Sequence, residues 1–163
     1  MSRLDSFIRR MQAQRACIDY VADHLGPLEG PVLELGLGNG RTYDHLRERF
    51  PGRAIYVFDR QVAAHPDCIP PDGMLRLGDF RDTLPAFAKE GEAPAAFIHA
   101  DVGNGNDQQS QQLATLLAPT LLRLLAPGGY LGSDQPVDLP GLVRCEGPSG
   151  AFAGRCHLYQ RQP

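Results

Sequence analysis

The chain has 163 residues, 42% of them hydrophobic and 21% charged. That balance excludes global disorder, and the length suits one domain that buries a core without disulfide or metal staples. Lys and Arg number 16 against 19 Asp and Glu, a net charge of −3, which argues against a broad nucleic-acid-binding face. The segment from Met1 to Arg10 mixes polar and apolar residues, and no apolar run is long enough to span a bilayer, so neither a secretory leader nor a membrane partner is expected. Cys17, Cys68, Cys145 and Cys156 form no C-x-x-C pair. They read as reduced thiols of a cytoplasmic protein, although Cys145 and Cys156 could face each other across a hairpin.

In chain order, Leu4, Phe7, Ile8, Met11, Ile18, Val21 and Leu25 recur at helical spacing and predict a helix from about Ser2 to Leu25, stopped by Gly26-Pro27. Arg9, Arg10 and Arg15 read as its solvated face. Pro31 to Leu35 is a short apolar run, followed by a glycine loop and a helix from Arg41 to Phe50. Ala54–Phe58 is a second buried strand closed by Asp59. Gln61–Gly73 holds three prolines, so any helix there is a turn or so at most. Met74–Leu77 is a third strand. Asp82 is expected to cap a helix with Pro85 in its first turn. Ala95–Ala100 is a fourth strand ending at Asp101.

A long leucine-rich helix starts near Asp107, and Pro119 is expected to kink or break it. Ala126–Gly129 is the stop, and Tyr130–Ser133 is a fifth strand ending at Asp134. Leu142–Glu146 and Arg155–Gln160 are two tail strands joined by a Gly/Pro/Ser turn. Strands alternating with helices predict an α/β fold, a doubly wound and mostly parallel sheet with helices on both faces. The short antiparallel C-terminal strand pair joins it. The chain divides into an N-terminal helix (1–26), a ligand-binding core (31–134) and the C-terminal strands (142–160), all one domain.

In such a sheet ligands bind outside the carboxyl ends of the strands. Glu34, the glycine loop, Asp59, Asp79, Asp101 and Asp134 all follow apolar runs and fall at those ends. The dinucleotide fingerprint fails, because Arg41 stands where its third small residue belongs, and there is no G-K-[ST] phosphate loop. Singly, each acid could equally be a helix cap or a solvated loop charge.

What stands here is Glu34-Leu35-Gly36-Leu37-Gly38-Asn39-Gly40, an E-x-G-x-G-x-G. It resembles the first motif of the Rossmann-like (class I) S-adenosylmethionine-dependent methyltransferases. The likeness continues in register: Asp59 lies nineteen residues after Gly40, Gly78-Asp79-Phe80 resembles the adenine-binding segment, and Leu124 to Leu131 resembles the "L-x-P-G-G" entry to the fifth strand. The resemblance implies S-adenosyl-L-methionine as cofactor, with Glu34, Gly36, Gly38, Asn39, Gly40, Thr42, Asp59, Arg60, Asp79, Phe80 and Asp101 around it. The chemistry agrees. The ligand carries an ammonium and a sulfonium and no phosphate, which suits a carboxylate beside a backbone-lined loop. Asp59 offers two acceptors to two ribose hydroxyls, and Asp79 can accept from the adenine amino group while Phe80 meets the ring.

The resemblance implies methyl transfer to a small-molecule or side-chain nucleophile by in-line displacement, for which positioning supplies much of the acceleration. Asp101 and His99 are the catalytic candidates, with Asp134 behind them. Gly128 to Gln135 and Phe97 to Asp101 also resemble metal-binding segments of small O-methyltransferases, which would make Asp101, Asp134 and Gln135 a metal set. His99 and Gln135 depart from that pattern, so no metal is expected. The amine-methylating Asn/Asp-Pro-Pro-Tyr signature is absent and no nucleic-acid substrate is expected. A second reading is a cofactor-binding sensor or accessory protein without turnover. The proline-rich Gln61–Gly73 leaves part of the sheet short of a covering helix, which predicts a homo-oligomer through the tail strands or the N-terminal helix.

Overall fold

A computed structural model describes residues 2–147, 150, 152 and 154–163. In chain order the elements are α1 (Arg3–His24), β1 (Val32–Leu35), α2 (Arg41–Arg49), β2 (Ile55–Asp59), a 3-10 turn (Pro66–Cys68), β3 (Leu75–Leu77) and α3 (Phe80–Phe87). Then follow β4 (Ala95–Ala100), α4 (Asp107–Leu124), β5 (Leu125–Ser133), β6 (Leu142–Cys145) and β7 (His157–Arg161). The strands make one seven-stranded sheet of order β3-β2-β1-β4-β5-β7-β6. β1 to β5 are parallel, and β7 runs antiparallel to both β5 and β6. Strand order reverses between β1 and β4, which opens a crevice at their carboxyl ends.

The alternation of strand side chains divides the core. Leu33, Leu35, Phe58, Ile98 and Leu131 face α3 and α4, and pack with Leu84, Phe87, Leu117 and Leu121. Val32, Val57, Phe97 and Leu158 face the other way and pack with Cys17, Ile18, Val21 and Leu46 of α1 and α2. Each fully buried Leu or Phe contributes about 1.5–3 kcal/mol. Helices thus cover both faces, as the strand pattern demands.

Several local expectations are corrected. α3 begins at Phe80, capped by Asp79 rather than Asp82, because the Asp79 side chain accepts from the Arg81 amide. Pro85 then sits well inside the helix. α4 runs unbroken through Pro119 from Asp107 to Leu124. No turn separates α4 from β5: Leu125 caps the helix and starts the strand. The strand therefore begins at Leu125 rather than Tyr130, and the pairing with β4 slips from Ala95↔Leu125 to Phe97↔Tyr130. Gly128 at φ 79° and Gly129 absorb that slip, since a Cβ on Gly129 would lie 2.9 Å from the carbonyl oxygens of both Ala96 and Ala126. Cys145 faces Leu158 across the tail strands, not Cys156. The four cysteines are free, with Cys17 and Cys156 in the α1-side core. The tail turn at 148, 149, 151 and 153 lies outside the described residues. Among the described residues, no helix is long and apolar enough to cross a membrane.

Candidate active site

The glycine loop joins β1 to α2. Gly36, Gly38 and Gly40 all take positive φ, at 92°, 50° and 87°. Their surroundings differ. A Cβ on Gly36 would collide with the Asp101 carbonyl, and one on Gly40 with the Cys68 side chain. Gly38 has nothing within 4 Å of where its Cβ would stand. Gly36 and Gly40 are thus glycines for packing, and Gly38 borders open space.

That space is a cavity of about 150 Å³ between the glycine loop and α1, lined by Phe7, Arg10, Gln14, Gly38, Asn39 and Asp101 among others. It is smaller than the roughly 300–1,000 Å³ that takes a whole drug-sized ligand, and matches one end of a longer one. Asp101, leaving β4, accepts through Oδ2 from Arg10 Nη2 at 2.5 Å and from Gln14 Nε2 at 2.8 Å. Its other oxygen, Oδ1, is buried without a partner, and so is Gln14 Oε1. Both residues line the cavity, and a buried acceptor left without a donor is costly. Arg10 and Gln14 were missed by the sequence reading. Arg10, partly exposed, is also the partner of Asp101, 91 positions away, and only tertiary contact reveals that.

The structure sets Glu34 behind the cavity rather than in it. Its carboxylate is fully buried, with Oε1 accepting from the Thr42 hydroxyl and Oε2 bonded to His99 Nδ1 at 2.7 Å. Thr42 donates to Glu34 and also lines the cavity. His99 is 2% exposed and does not reach the crevice. Burial opposes its charge, but the Glu34 carboxylate outweighs burial and raises its pKa to about 9. The pair is a charged strut between β1 and β4.

Asp59 caps the glycine loop. Its Oδ2 accepts from the amides of Leu37 at 2.8 Å and Gly38 at 3.2 Å, and its Oδ1 from Arg60 at 2.6 Å and Gln61 at 3.3 Å. Asp79 is saturated: Oδ1 takes the Arg81 amide and Nε, and Oδ2 takes Arg81 Nη2 at 2.7 Å and Arg60 Nη2 at 3.0 Å. The Arg81 guanidinium holds its carboxyl well below the usual carboxylate range. Asp79 thus caps α3, and the exposed Arg81 and Arg60 side chains occupy the oxygens expected to meet an adenine. Phe80 packs on the α3–α4 side, lining a separate groove with Leu116 and Leu117. Asn39 lines the small cavity, and its carbonyl accepts from the His65 amide at 3.0 Å.

At the end of β5, Asp134 accepts from Val102 N at 3.1 Å, from Gly103 N at 2.9 Å and from its neighbour Gln135 Nε2 at 3.1 Å. Burial, and then the nearby Asp101, push its pKa up. Gln135 presents its amide N–H, not its oxygen, and Asp101 is occupied by Arg10. The alternative metal set is therefore not assembled, and among the described residues no cluster of three or more His, Cys, Asp or Glu could hold an ion. Asp134 borders a second cavity of about 470 Å³, which shares Arg10 with the first.

The sequence profile of a family described as S-adenosyl-L-methionine methyltransferase matches residues 1–161. The chain belongs to that family. It is also similar to the crystal structure of an S-adenosyl-L-methionine methyltransferase from Silicibacter pomeroyi DSS-3, at 48% identity and a TM-score of 0.93, covering 99% of each chain. Two more distant structures share the fold. The plantazolicin methyltransferase BpumL, crystallised with a pentazolic desmethylPZN analog and S-adenosylhomocysteine, matches at 10% identity and a TM-score of 0.62, over 96% of this chain and 86% of that one. TrmN from Thermus thermophilus matches at 17% identity and a TM-score of 0.60, over 93% of this chain and 53% of that one. No curated protein sequence matches. This methyltransferase uses S-adenosylmethionine, and its family does not favour a cofactor sensor without turnover.

Proposed function

We propose that this methyltransferase holds the amino-acid end of S-adenosylmethionine between the glycine loop and α1. Gln14 Oε1 and Asp101 Oδ1 accept from the ammonium, and Arg10 faces the carboxylate. Two buried unpartnered acceptors on residues that line the cavity beside Gly38 carry this reading, because a donor-only cation satisfies both at once. Asp59, at the end of β2, takes the ribose hydroxyls by exchanging its two long amide bonds. Glu34 and His99 position β1 and β4 around the ligand without touching it, and Thr42, which lines the cavity, ties α2 to Glu34.

When bound, S-adenosylmethionine supplies a methyl group already activated by its sulfonium. The residues of this chain then have to hold the acceptor in line with that methyl and exclude water. The adjoining 470 Å³ cavity supports an acceptor site for a small molecule or a single side chain. Calorimetric titration with S-adenosylhomocysteine tests the cofactor site. Gln14→Leu and Asp101→Asn are each expected to weaken binding about 10- to 100-fold, the worth of one hydrogen bond to a charged group. Unchanged affinity in both variants overturns the placement.

We further infer one domain, supported by the single sheet that takes every strand. A cytoplasmic compartment is supported by four free thiols. A homodimer through α1 is supported by Leu4, Phe7 and Ile8, which are 66%, 44% and 43% exposed on its first two turns.

A further inference from the structure

The larger cavity is unusual in what lines it. Among the described residues Pro136 is its one apolar side chain beyond glycine. An aromatic or lipid acceptor would find only Pro136 to bury its surface against there, whereas most small-molecule sites are apolar with a few polar groups. The charges, moreover, are sorted by side. Arg10 comes from α1, and Arg155 stands in the turn two residues before β7, where its Nη2 donates to Ser6 Oγ of α1 at 3.1 Å. Both lie on the α1 side. Asp107 comes from α4, which covers the opposite face of the sheet, and Asp134 lies between them at the tip of β5.

The groups are also incompletely used. Arg155 has no carboxylate partner among the described residues. Asp134 Oδ1 accepts from one donor, the Val102 amide, and keeps a lone pair. His157 lines the same cavity with Nδ1 buried and unpartnered. Burial and then Arg144 lower its pKa, so the fixed positive charge on this side is the arginines'.

We propose that the methyl acceptor is a small zwitterion, an aminocarboxylate whose carboxylate lies on Arg155 and whose amine lies against Asp134. This rests on the cofactor placement given above, because the two cavities meet at Arg10, the partner of Asp101. An ammonium has no lone pair, so it first gives one proton to Asp134. The amine nitrogen then forms a bond to the methyl carbon as the sulfur–carbon bond breaks, and that electron pair stays on sulfur. The products are an N-methylated ammonium and neutral S-adenosylhomocysteine, and Asp134 returns its proton to water.

The test uses the full chain with S-adenosylmethionine and reads S-adenosylhomocysteine release. The probes are the twenty proteinogenic amino acids, their decarboxylated amines, the corresponding carboxylates without the amine, and phenol. Turnover of one or more amino acids, with the matched amine and matched carboxylate both inactive, is the expected result. Arg155→Gln should then raise KM for the active amino acid about 10- to 100-fold and leave kcat within about threefold. Asp134→Asn should lower kcat by about 100-fold or more while S-adenosylhomocysteine still binds, which shows that the variant is folded. Turnover of phenol or of the decarboxylated amines equal to that of the amino acids overturns the proposal, as does no turnover of any amino acid by protein that binds S-adenosylhomocysteine. Failure of the wild-type chain to bind S-adenosylhomocysteine overturns the cofactor placement itself, and the proposal with it.

Discussion

Glu34 and His99 are register partners on β1 and β4, joined by a 2.7 Å bond between Oε2 and Nδ1 at the middle of the sheet. The bond ties the strand before the glycine loop to the strand before Asp101. It stiffens the two lips of the crevice from behind.

Breaking that pair strands a charge in the core. His99→Leu is expected to cost about 3–5 kcal/mol, the range for removing one partner of a buried ion pair. Replacing both residues by leucine should cost less than His99→Leu alone, because no orphaned charge remains. Thermal denaturation of the three proteins measures this, and a double variant at least as unstable as the single one contradicts it.

The same pair sets a pH dependence. The folded-state pKa of His99, about 9, lies above its ordinary value of 6.5. The folded state therefore binds the extra proton more tightly, and this stabilisation is complete below about pH 6.5 and lost as pH rises through about 9. The melting temperature should fall across that window, and the fall should be absent in the double leucine variant.

The glycines of the loop should separate by role. Gly36→Ala forces a Cβ into the Asp101 carbonyl at a φ of 92° and should lower thermal stability by more than about 1 kcal/mol. Gly38→Ala, at a φ of 50° beside open space, should cost less stability. It should weaken S-adenosylhomocysteine binding by tenfold or more, because the new methyl stands in the ligand's space. Equal stability losses would show that Gly38 is also a packing glycine.

Asp59 and Asp79 should separate as well. Asp79→Ala removes a helix cap and should cost about 1 kcal/mol of stability while leaving S-adenosylhomocysteine affinity within about threefold. Asp59→Ala frees the Leu37 and Gly38 amides and should weaken binding far more than Asp79→Ala does. Calorimetry on both proteins decides between them.

Leu4→Ser, Phe7→Ser and Ile8→Ser together should convert a dimer to a monomer in light scattering. A wild-type mass equal to one chain rules out the α1 interface.

The sequence by itself determined the strand order's raw material. Strands with apolar residues on both faces, a glycine loop after the first, and acids closing the others depend on periodicity and local chain geometry, and these are written residue by residue. The family was legible for the same reason, since its motifs are short and contiguous. What the acids do was decided only by the tertiary structure. Glu34 is spent on His99 and Thr42, Asp79 on Arg81 and Arg60, and one oxygen of Asp101 on Arg10 and Gln14. Some of these partners lie 65 to 91 positions apart. A carboxylate's hydrogen-bonding capacity is finite, and which donors fill it depends on what the fold brings alongside. For the same reason Gln14 was invisible as a site residue. Its position on a helix marks only which face it shares, and its unpartnered oxygen exists only because α1 closes over the end of β4.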